Sequence, residues 1–339
     1  MSPRALVTRG DGVLSTEERG ALCAGPGELV VAPQVVGLCG TDLELVDGTI
    51  DPAYVNYPLV IGHEWTGVVT ESRDDSFRPG DRVVVEGIVP CGRCARCVAG
   101  ATNICDTYAE LGFTFDGAAA DEVVVRAARA HVLSPQVTAD DAALVEPASV
   151  VYHGLSRAVE RPGLECLVVG DGTIGLLAAL LLSLWSPSRV VVAGRRPEQE
   201  ALARSVGAHE LVEAAADGSF DLVVEAAGTP DSVAGALRAP RRGGTVLLLG
   251  LPPHGTTTPV PVDDLVNGDL LVRASFAYTS SAWSRVVSLL NAGRLSPGRL
   301  VTHRFGFEDH RDAIASLRTP RPGEARGKVV LELPGGPRA

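Results

Sequence analysis

Short apolar runs separated by turn-forming clusters occupy most of this chain, and their spacing changes part-way along. In roughly the first 145 residues the runs are valine-rich and closely spaced, at 28–36, 68–71, 82–86 and 122–125, with Pro-Gly, Gly-Asp and Asp-Gly signals between them. That punctuation predicts a compact, mostly antiparallel β domain. From Cys166 onward, brief apolar runs at Cys166–Val169, Arg189–Ala193, Leu222–Glu225, Thr245–Leu249 and Leu270–Ala274 predict strands, and the stretches Ile174–Leu184 and Pro197–Val206 predict helices between the earlier ones. Strands that are apolar throughout, without alternation, predict a parallel sheet buried on both faces. Beyond Tyr278 the pattern predicts two helices, Ala282–Asn291 and Glu308–Leu317, and a last strand, Lys328–Leu331, which either extends that sheet or returns to the first domain. No internal repeat is visible, and Thr319–Arg326 reads as a Pro/Gly/Arg-rich turn segment.

Composition narrows the partners. A chain of 339 residues has the length of two domains, and 45% hydrophobic residues are ample for two cores. The formal charge of -11 disfavours nucleic acid, which asks for a basic face. The first ten residues carry no apolar export segment, and the longest apolar stretch, Ile174–Trp185, is too short for a membrane span, so a cytoplasmic protein without a membrane partner is expected. Seven cysteines in such a chain point to metal or catalytic roles over a disulfide framework.

Four of them, Cys91, Cys94, Cys97 and Cys105, follow one another at spacings x2, x2 and x7. Four thiolates on a folded-back loop supply the closed tetrahedral set of a structural Zn²⁺ site, with an iron–sulfur cluster as the alternative. Elsewhere in the same domain stand Cys39 in Gly-Leu-Cys-Gly-Thr-Asp, His63 and Glu64 in Gly-His-Glu-Trp, and Glu146 in Leu-Val-Glu-Pro. Singly, each reads as a core cysteine or a surface His-Glu pair. Together, a thiolate, an imidazole and carboxylates make an open zinc site with a position left for water or substrate.

Leu167-Val-Val-Gly-Asp-Gly-Thr-Ile-Gly-Leu176 places Gly170, Gly172 and Gly175 in G-x-G-x-x-G between a predicted strand and a predicted helix that Thr173 and Ile174 open. This is a pyrophosphate-binding turn. Where an acidic residue about 20 residues on would accept the ribose hydroxyls of NAD, this chain has Gly194, Arg195 and Arg196. The arginines read as a 2′-phosphate pocket and hence NADP, or else as the solvated start of a helix.

With these pieces together, the chain resembles the zinc-dependent medium-chain dehydrogenase/reductase (alcohol dehydrogenase) superfamily over essentially its whole length. The likeness rests on Cys39-Gly-Thr-Asp42, Gly62-His-Glu64, the four-cysteine lobe, Glu146-Pro147, the glycine loop and Gly327-Lys-Val-Val-Leu331. Glu146-Pro147 is similar to the polyol, threonine and glucose dehydrogenase branch. The 39–48 segment and Gly194-Arg-Arg196 are similar to NADP-using glucose dehydrogenases, whereas 57–65 and 110–117 are more similar to aminocyclitol (2-deoxy-scyllo-inosamine) dehydrogenases.

The resemblance implies an α/β protein: a GroES-like, mostly-β catalytic domain over 1–150 with the lobe at about 88–108, a Rossmann doubly wound parallel sheet over 151–280, and a C-terminal return over 281–339, the active site lying in the cleft. It implies a catalytic zinc held by Cys39, His63 and either Glu64 or Glu146, with one carboxylate bound directly or through water. It makes Thr41 the hydroxyl that takes the substrate proton and Glu110, with Glu146, the substrate-facing carboxylates. A homodimer or homotetramer is the expected assembly. Three positions depart from the family: Glu44 stands where many members carry a relay histidine, Asp171 sits inside the glycine loop and must point away from the pyrophosphate, and Val150 replaces a sugar-binding acidic residue. The expected protein is a two-zinc, NADP-preferring oxidoreductase that interconverts a secondary alcohol of a sugar, polyol or aminocyclitol and its ketone or lactone. A threonine-type amino alcohol is the alternative substrate, NAD the alternative cofactor, and a non-catalytic dinucleotide-binding scaffold the alternative outside the enzymes.

Overall fold

The computed structural model describes residues 2–334; residue 1 and residues 335–339, the outermost parts of the expected 1–150 and 281–339 spans, lie outside the described residues. The chain forms two units, one made of residues up to 146, 279–321 and from 328 on, the other of 147–278 with 322–327. The first crossing falls inside the helix Val145–Ala158, so no break in pattern marks it.

In the first unit the strand Glu28–Leu38 organises the sheet. Its run of valines and leucines buries nine of eleven residues, as expected of a strand covered on both faces. It pairs antiparallel with Glu64–Ser72 along one side, and with Val123–Arg126 and then Lys328–Glu332 along the other. Pro33 falls at a register shift, where a residue without an N–H interrupts no ladder bond. Arg82–Val85 and Ala130–Val132 continue the sheet beyond Glu64–Ser72, and Val301–Gly306 lies parallel to Lys328–Glu332 at the opposite edge. A second sheet joins Leu14–Glu18, Arg4–Thr8 and Leu59–Val60. Leu6, Val31, Val36, Ile61, Trp65, Val83 and Leu331 bind both sheets into one core. The last strand therefore returns to the first unit, which settles the choice that its apolar pattern left open.

The second unit is a six-stranded parallel sheet in the order Glu210–Val212, Arg189–Ala193, Glu165–Val169, Phe220–Glu225, Pro240–Leu248, Leu271–Ala274. The chain builds outward from Glu165–Val169 to one edge and then, from Phe220–Glu225, to the other. Such a reversal of order is the switch point at which doubly wound sheets bind dinucleotides. The helix Thr173–Leu182 buries Leu176, Leu177, Leu181 and Leu182 against this sheet.

Three differences from the predicted elements have local causes. The helix expected over 197–206 begins as a 3₁₀ turn, Pro197–Gln199, before the α-helix Glu200–Ser205, in keeping with the preference of proline for a first turn. The strand expected from Thr245 starts at Pro240, because its polar first half, Arg241-Arg-Gly-Gly244, is only partly buried and hides the apolar signal. The turn segment 322–327 joins the second unit, not the first. No helix of the described residues is long and apolar enough to cross a membrane.

Candidate active site

The strand Glu28–Leu38 delivers Cys39 to the N-cap of the helix Gly40–Asp47. The Cys39 amide donates to Asp42 Oδ2 at 2.8 Å, the reciprocal half of a capping box, and Asp42 is completely buried. On the neighbouring strand the register sets Glu64 opposite Gly37, so the ladder carries His63 and Glu64 to Cys39 across 24 residues of sequence. Cys39 Sγ lies 3.3 Å from His63 Nε2, Glu64 Oε1 lies 4.0 Å from the same nitrogen, and the three ligand atoms all fall within 4.8 Å of one another.

Around the trio, Asp42 Oδ1 sits 3.6 Å from His63 Nδ1, and neither atom makes a hydrogen bond. A carboxylate behind the second ring nitrogen is how metal-binding histidines are oriented. The Phe113 ring packs tilted against His63, with centroids 5.1 Å apart. Glu64 Oε2 is ion-paired with Lys328 Nζ, both side chains almost fully buried. A cysteine sulfur, an imidazole and a carboxylate converging, the last two buried, with unsatisfied polar atoms at the imidazole, fit a zinc ion.

Glu146, near the start of Val145–Ala158, is buried but outside that trio. Burial, then the charge of Glu64, push its carboxyl up to about 8, while His63 and Lys328 oppose the shift. Glu110 is buried too, which raises its carboxyl against the opposing influence of His63 and of the Tyr108 hydroxyl that donates to Oε2. Both carboxyls thus sense the His63 ring. Thr41 lies in the first turn of Gly40–Asp47, half-buried, and Glu44 follows one turn later with its carboxyl raised by burial. Sequence reasoning missed Asp42, Phe113, Tyr108 and Lys328. The last had a signal: it is the single lysine among 30 basic residues.

The four-cysteine lobe lies in the same unit and is built almost wholly from its own backbone. Cys94 caps the short helix Ala95–Val98, and its amide points at Cys91 Sγ at 3.4 Å; the Cys97 amide points at Cys94 Sγ at 3.4 Å and the Cys91 amide at Cys105 Sγ at 3.3 Å. All four sulfurs lie within 4.8 Å of one another, and none is in a disulfide. Amide donors from Arg93 and Cys94 hold the Cys91 thiol down at about 6. Burial and the neighbouring Cys94 thiol push the Cys97 thiol the other way, up to about 12, and it is the convergence of four sulfurs that fits a tetrahedral metal.

In the second unit Gly172 caps the helix Thr173–Leu182. A Cβ on Gly175 would stand 1.9 Å from the Gly170 oxygen, so the helix can pack this closely on the loop only without one. The open helix N-terminus above the first strand fits a dinucleotide pyrophosphate. The strand Arg189–Ala193 ends at Gly194, where a Cβ would stand 2.5 Å from Asp171 Cβ and Oδ2. Asp171 therefore turns onto the Gly194 turn, and there it changes one expectation. Arg196 is not a free cation: its Nε and Nη2 donate to Asp171 Oδ1 at 3.1 and 2.6 Å. Arg195 is exposed. Gln199 and Arg326, which the sequence did not single out, join this turn.

Residues 25–135 match the alcohol dehydrogenase GroES-like domain, and residues 173–292 match zinc-binding dehydrogenase. The chain is 30% identical to D-arabinitol dehydrogenase 1 of Uromyces fabae over 86% of each chain. It is 31% identical to L-threonine 3-dehydrogenase of Streptomyces avermitilis over 91% of this chain and 92% of that protein. Among solved structures, a zinc-binding dehydrogenase from Sinorhizobium meliloti 1021 bound to NADP superposes with a TM-score of 0.90 at 28% identity, covering 98% of this chain and 99% of that one. An alcohol dehydrogenase from Escherichia coli CFT073 complexed with NADH superposes at 0.89 with 26% identity, covering 98% and 100%. With a GroES-like unit, a doubly wound unit and relatives of this similarity along most of its length, the chain belongs to the zinc-dependent medium-chain dehydrogenase superfamily and is an alcohol dehydrogenase-type oxidoreductase.

Proposed function

We propose that this dehydrogenase interconverts a secondary alcohol of a small polyhydroxylated molecule, a sugar, polyol or aminocyclitol, and its ketone or lactone, with NADP as the preferred cofactor. The observation that carries the reading is the convergence of Cys39, His63 and Glu64 within 4.8 Å. Cys39, His63 and Glu64, with Glu146 as a further carboxylate, would hold a zinc ion that would supply a Lewis acid to the substrate oxygen, and a bound nicotinamide would supply the hydride acceptor. Asp42 orients the His63 ring, and Lys328 holds one oxygen of Glu64. Thr41 takes the substrate proton and passes it toward Glu44 or water. Glu110 and Glu146 meet the additional hydroxyl groups of the substrate, whose polyol class is the one in the name of the arabinitol dehydrogenase relative. A second zinc, in the lobe, is structural.

The NADP preference is supported by the lack of an acidic side chain at Gly194, by Arg195 and Arg196, and by the NADP-bound relative. A homo-oligomer is supported by the edge strand Leu271–Ala274, where Leu271 and Val272, with Phe276 just beyond, are exposed. An unpaired strand edge carrying apolar side chains can be extended by a second copy about a two-fold axis. The threonine dehydrogenase relative supports an amino alcohol as the second reading. An oxidation screen of sugars, polyols, aminocyclitols and threonine with NADP and NAD separates the two. The highest kcat/KM on a polyhydroxylated substrate with NADP supports the proposal; the highest value on threonine, or with NAD, overturns the corresponding half.

A further inference from the structure

The buried ion pair between Lys328 and Glu64 has to cross a strand to be made. Gly37 is the middle member of three paired strands, opposite Glu64 on one side and opposite Val330 on the other. Residues directly opposite each other, and residues two apart along a strand, share a face of the sheet, so Glu64, Gly37 and Lys328 belong to the same face. The lysine stem reaches Glu64 Oε2 over bare backbone. A Cβ on Gly37 would stand 2.6 Å from Glu64 Oε2, 2.9 Å from Lys328 Cε and 3.2 Å from Glu64 Cβ. Gly37 lies within an ordinary strand and not at a positive φ, so space, and not backbone conformation, calls for glycine here.

Among the described residues Lys328 is the one lysine or arginine that is buried, at 2% exposure. A cation taken out of water persists only when it is paired. It is also the one lysine in a chain that uses arginine at every other basic position. A slender stem ending in a compact ammonium suits a path laid against glycine backbone, where a planar guanidinium is broader. The pairing has a consequence for the trio. With Oε2 of Glu64 held by Lys328, Oε1 is the oxygen left toward His63, 4.0 Å from Nε2. His63 is backed in a similar way, with Asp42 Oδ1 3.6 Å behind Nδ1. Lys328 is thus to Glu64 what Asp42 is to His63.

We propose that Lys328 is a positioning residue for zinc retention, and that Gly37 is the gap through which it acts: by holding Oε2 it leaves Oε1 of Glu64 to the metal and so keeps zinc in the trio. The inference rests on the reading of Cys39, His63 and Glu64 as zinc ligands and adds what holds the third of them in place. Groups that orient a ligand from behind typically change metal affinity by about 10- to 100-fold when removed. The lobe is built from its own loop and takes no part in this pair, so its zinc is an internal control.

The test measures zinc per chain at a series of buffered free-zinc concentrations for the wild type, His63→Ala, Lys328→Met, Lys328→Arg and Gly37→Ala, with a thermal melt of each. His63→Ala supplies the curve of the lobe alone. Lys328→Met removes the charge at similar length, whereas Gly37→Ala keeps every ligand and every charge and pushes the pair apart. Both are expected to need about 10- to 100-fold more free zinc to fill the trio, with the lobe unchanged. Lys328→Arg, which keeps the charge on a broader head, is expected to fall between Lys328→Met and the wild type. If Lys328→Met fails to fold, Gly37→Ala, which alters no charge, decides. Trio zinc held as in the wild type by both variants overturns this inference alone. Equal loosening of lobe and trio also overturns it, because the fault then lies in the whole unit and not in Glu64. Loosening by Lys328→Met without loosening by Gly37→Ala upholds Lys328 and removes the role of Gly37. A His63→Ala variant that holds as much zinc as the wild type overturns the zinc-ligand reading and this inference with it.

Discussion

Two sets of metal-type ligands lie in one unit of this protein and are made in opposite ways. The lobe draws Cys91, Cys94, Cys97 and Cys105 from one short loop, and local amide-to-sulfur bonds shape it. The active-site trio draws Cys39 from a helix cap and His63 and Glu64 from the adjoining strand, and the strand register brings them together. The lobe has few apolar contacts of its own: Val98 is 76% exposed and Ile104 42%. The trio sits on a core that closes without it, with Trp65 and Val36 buried beside it in sequence. The lobe should therefore depend on its metal for structure, and the trio should depend on the structure for its metal.

The largest effect expected from that contrast is on the lobe. Structural zinc contributes ~10–16 kcal/mol in small zinc domains, which is as much as a whole domain's stability. Cys94→Ser should therefore collapse soluble yield or the melting temperature; an unchanged melt with full metal content would remove the structural role. At the trio, His63→Ala should lower turnover by more than about 10³-fold while leaving the melting temperature and NADPH binding close to wild type, because the lost Lewis acid matters only to chemistry. Substantial turnover after metal depletion of this variant, measured beside its zinc content, contradicts the assignment. Thr41→Val should cost ~10²-fold or more in kcat with little change in cofactor affinity, and a rate within about twofold of wild type speaks against the proton role.

The smallest effect concerns how the lobe is tied down. The Ser280 amide donates to Thr102 Oγ1 next to the lobe cysteines, and the Ser280 hydroxyl donates to Glu86, which also binds His131 and Arg129. Burial alone would raise the Glu86 carboxyl, but hydrogen bonds from His131 and Ser280 and the Arg129 charge outweigh it, leaving the carboxyl below its ordinary 4.5. On acidification the unfolded chain takes the proton first. The stabilisation is complete above that ordinary value and is lost as pH falls through the lowered folded value. Glu86→Gln should flatten this acid limb, at a cost of about 1–3 kcal/mol at neutral pH; denaturant melts from pH 3 to 7 compare the two slopes.

Much of this was legible in the chain itself. The four cysteines and the glycine loop are local patterns whose geometry follows from spacing, and the structure closes each within its own segment. Cys39, His63, Glu64 and Glu146 were legible only as candidates. Nothing in their spacing says that Glu64 joins the trio while Glu146 stays outside, since that depends on the pairing of Gly37 with Glu64. Asp42 could have been read as the third residue after a cap. Lys328 could have been read from its singularity in a chain that otherwise uses arginine, although its partner could not.

The same division holds at the cofactor end. Gly194, Arg195 and Arg196 stood out because they follow a predicted strand, yet the pattern alone left Arg196 unpaired. Its true partner, Asp171, lies 25 residues earlier, and Arg326, taken as part of a turn, lies 127 residues beyond Gln199, whose side chain accepts from its amide. By itself the sequence determined most of the elements, the local four-cysteine and glycine loops and the kinds of donor present, because helix and strand periods, glycine turns and cysteine spacing act over a few residues. The tertiary structure decided which donors share a site and which charges cancel. Those outcomes depend on strand register and burial, which bring together side chains that no short-range rule connects.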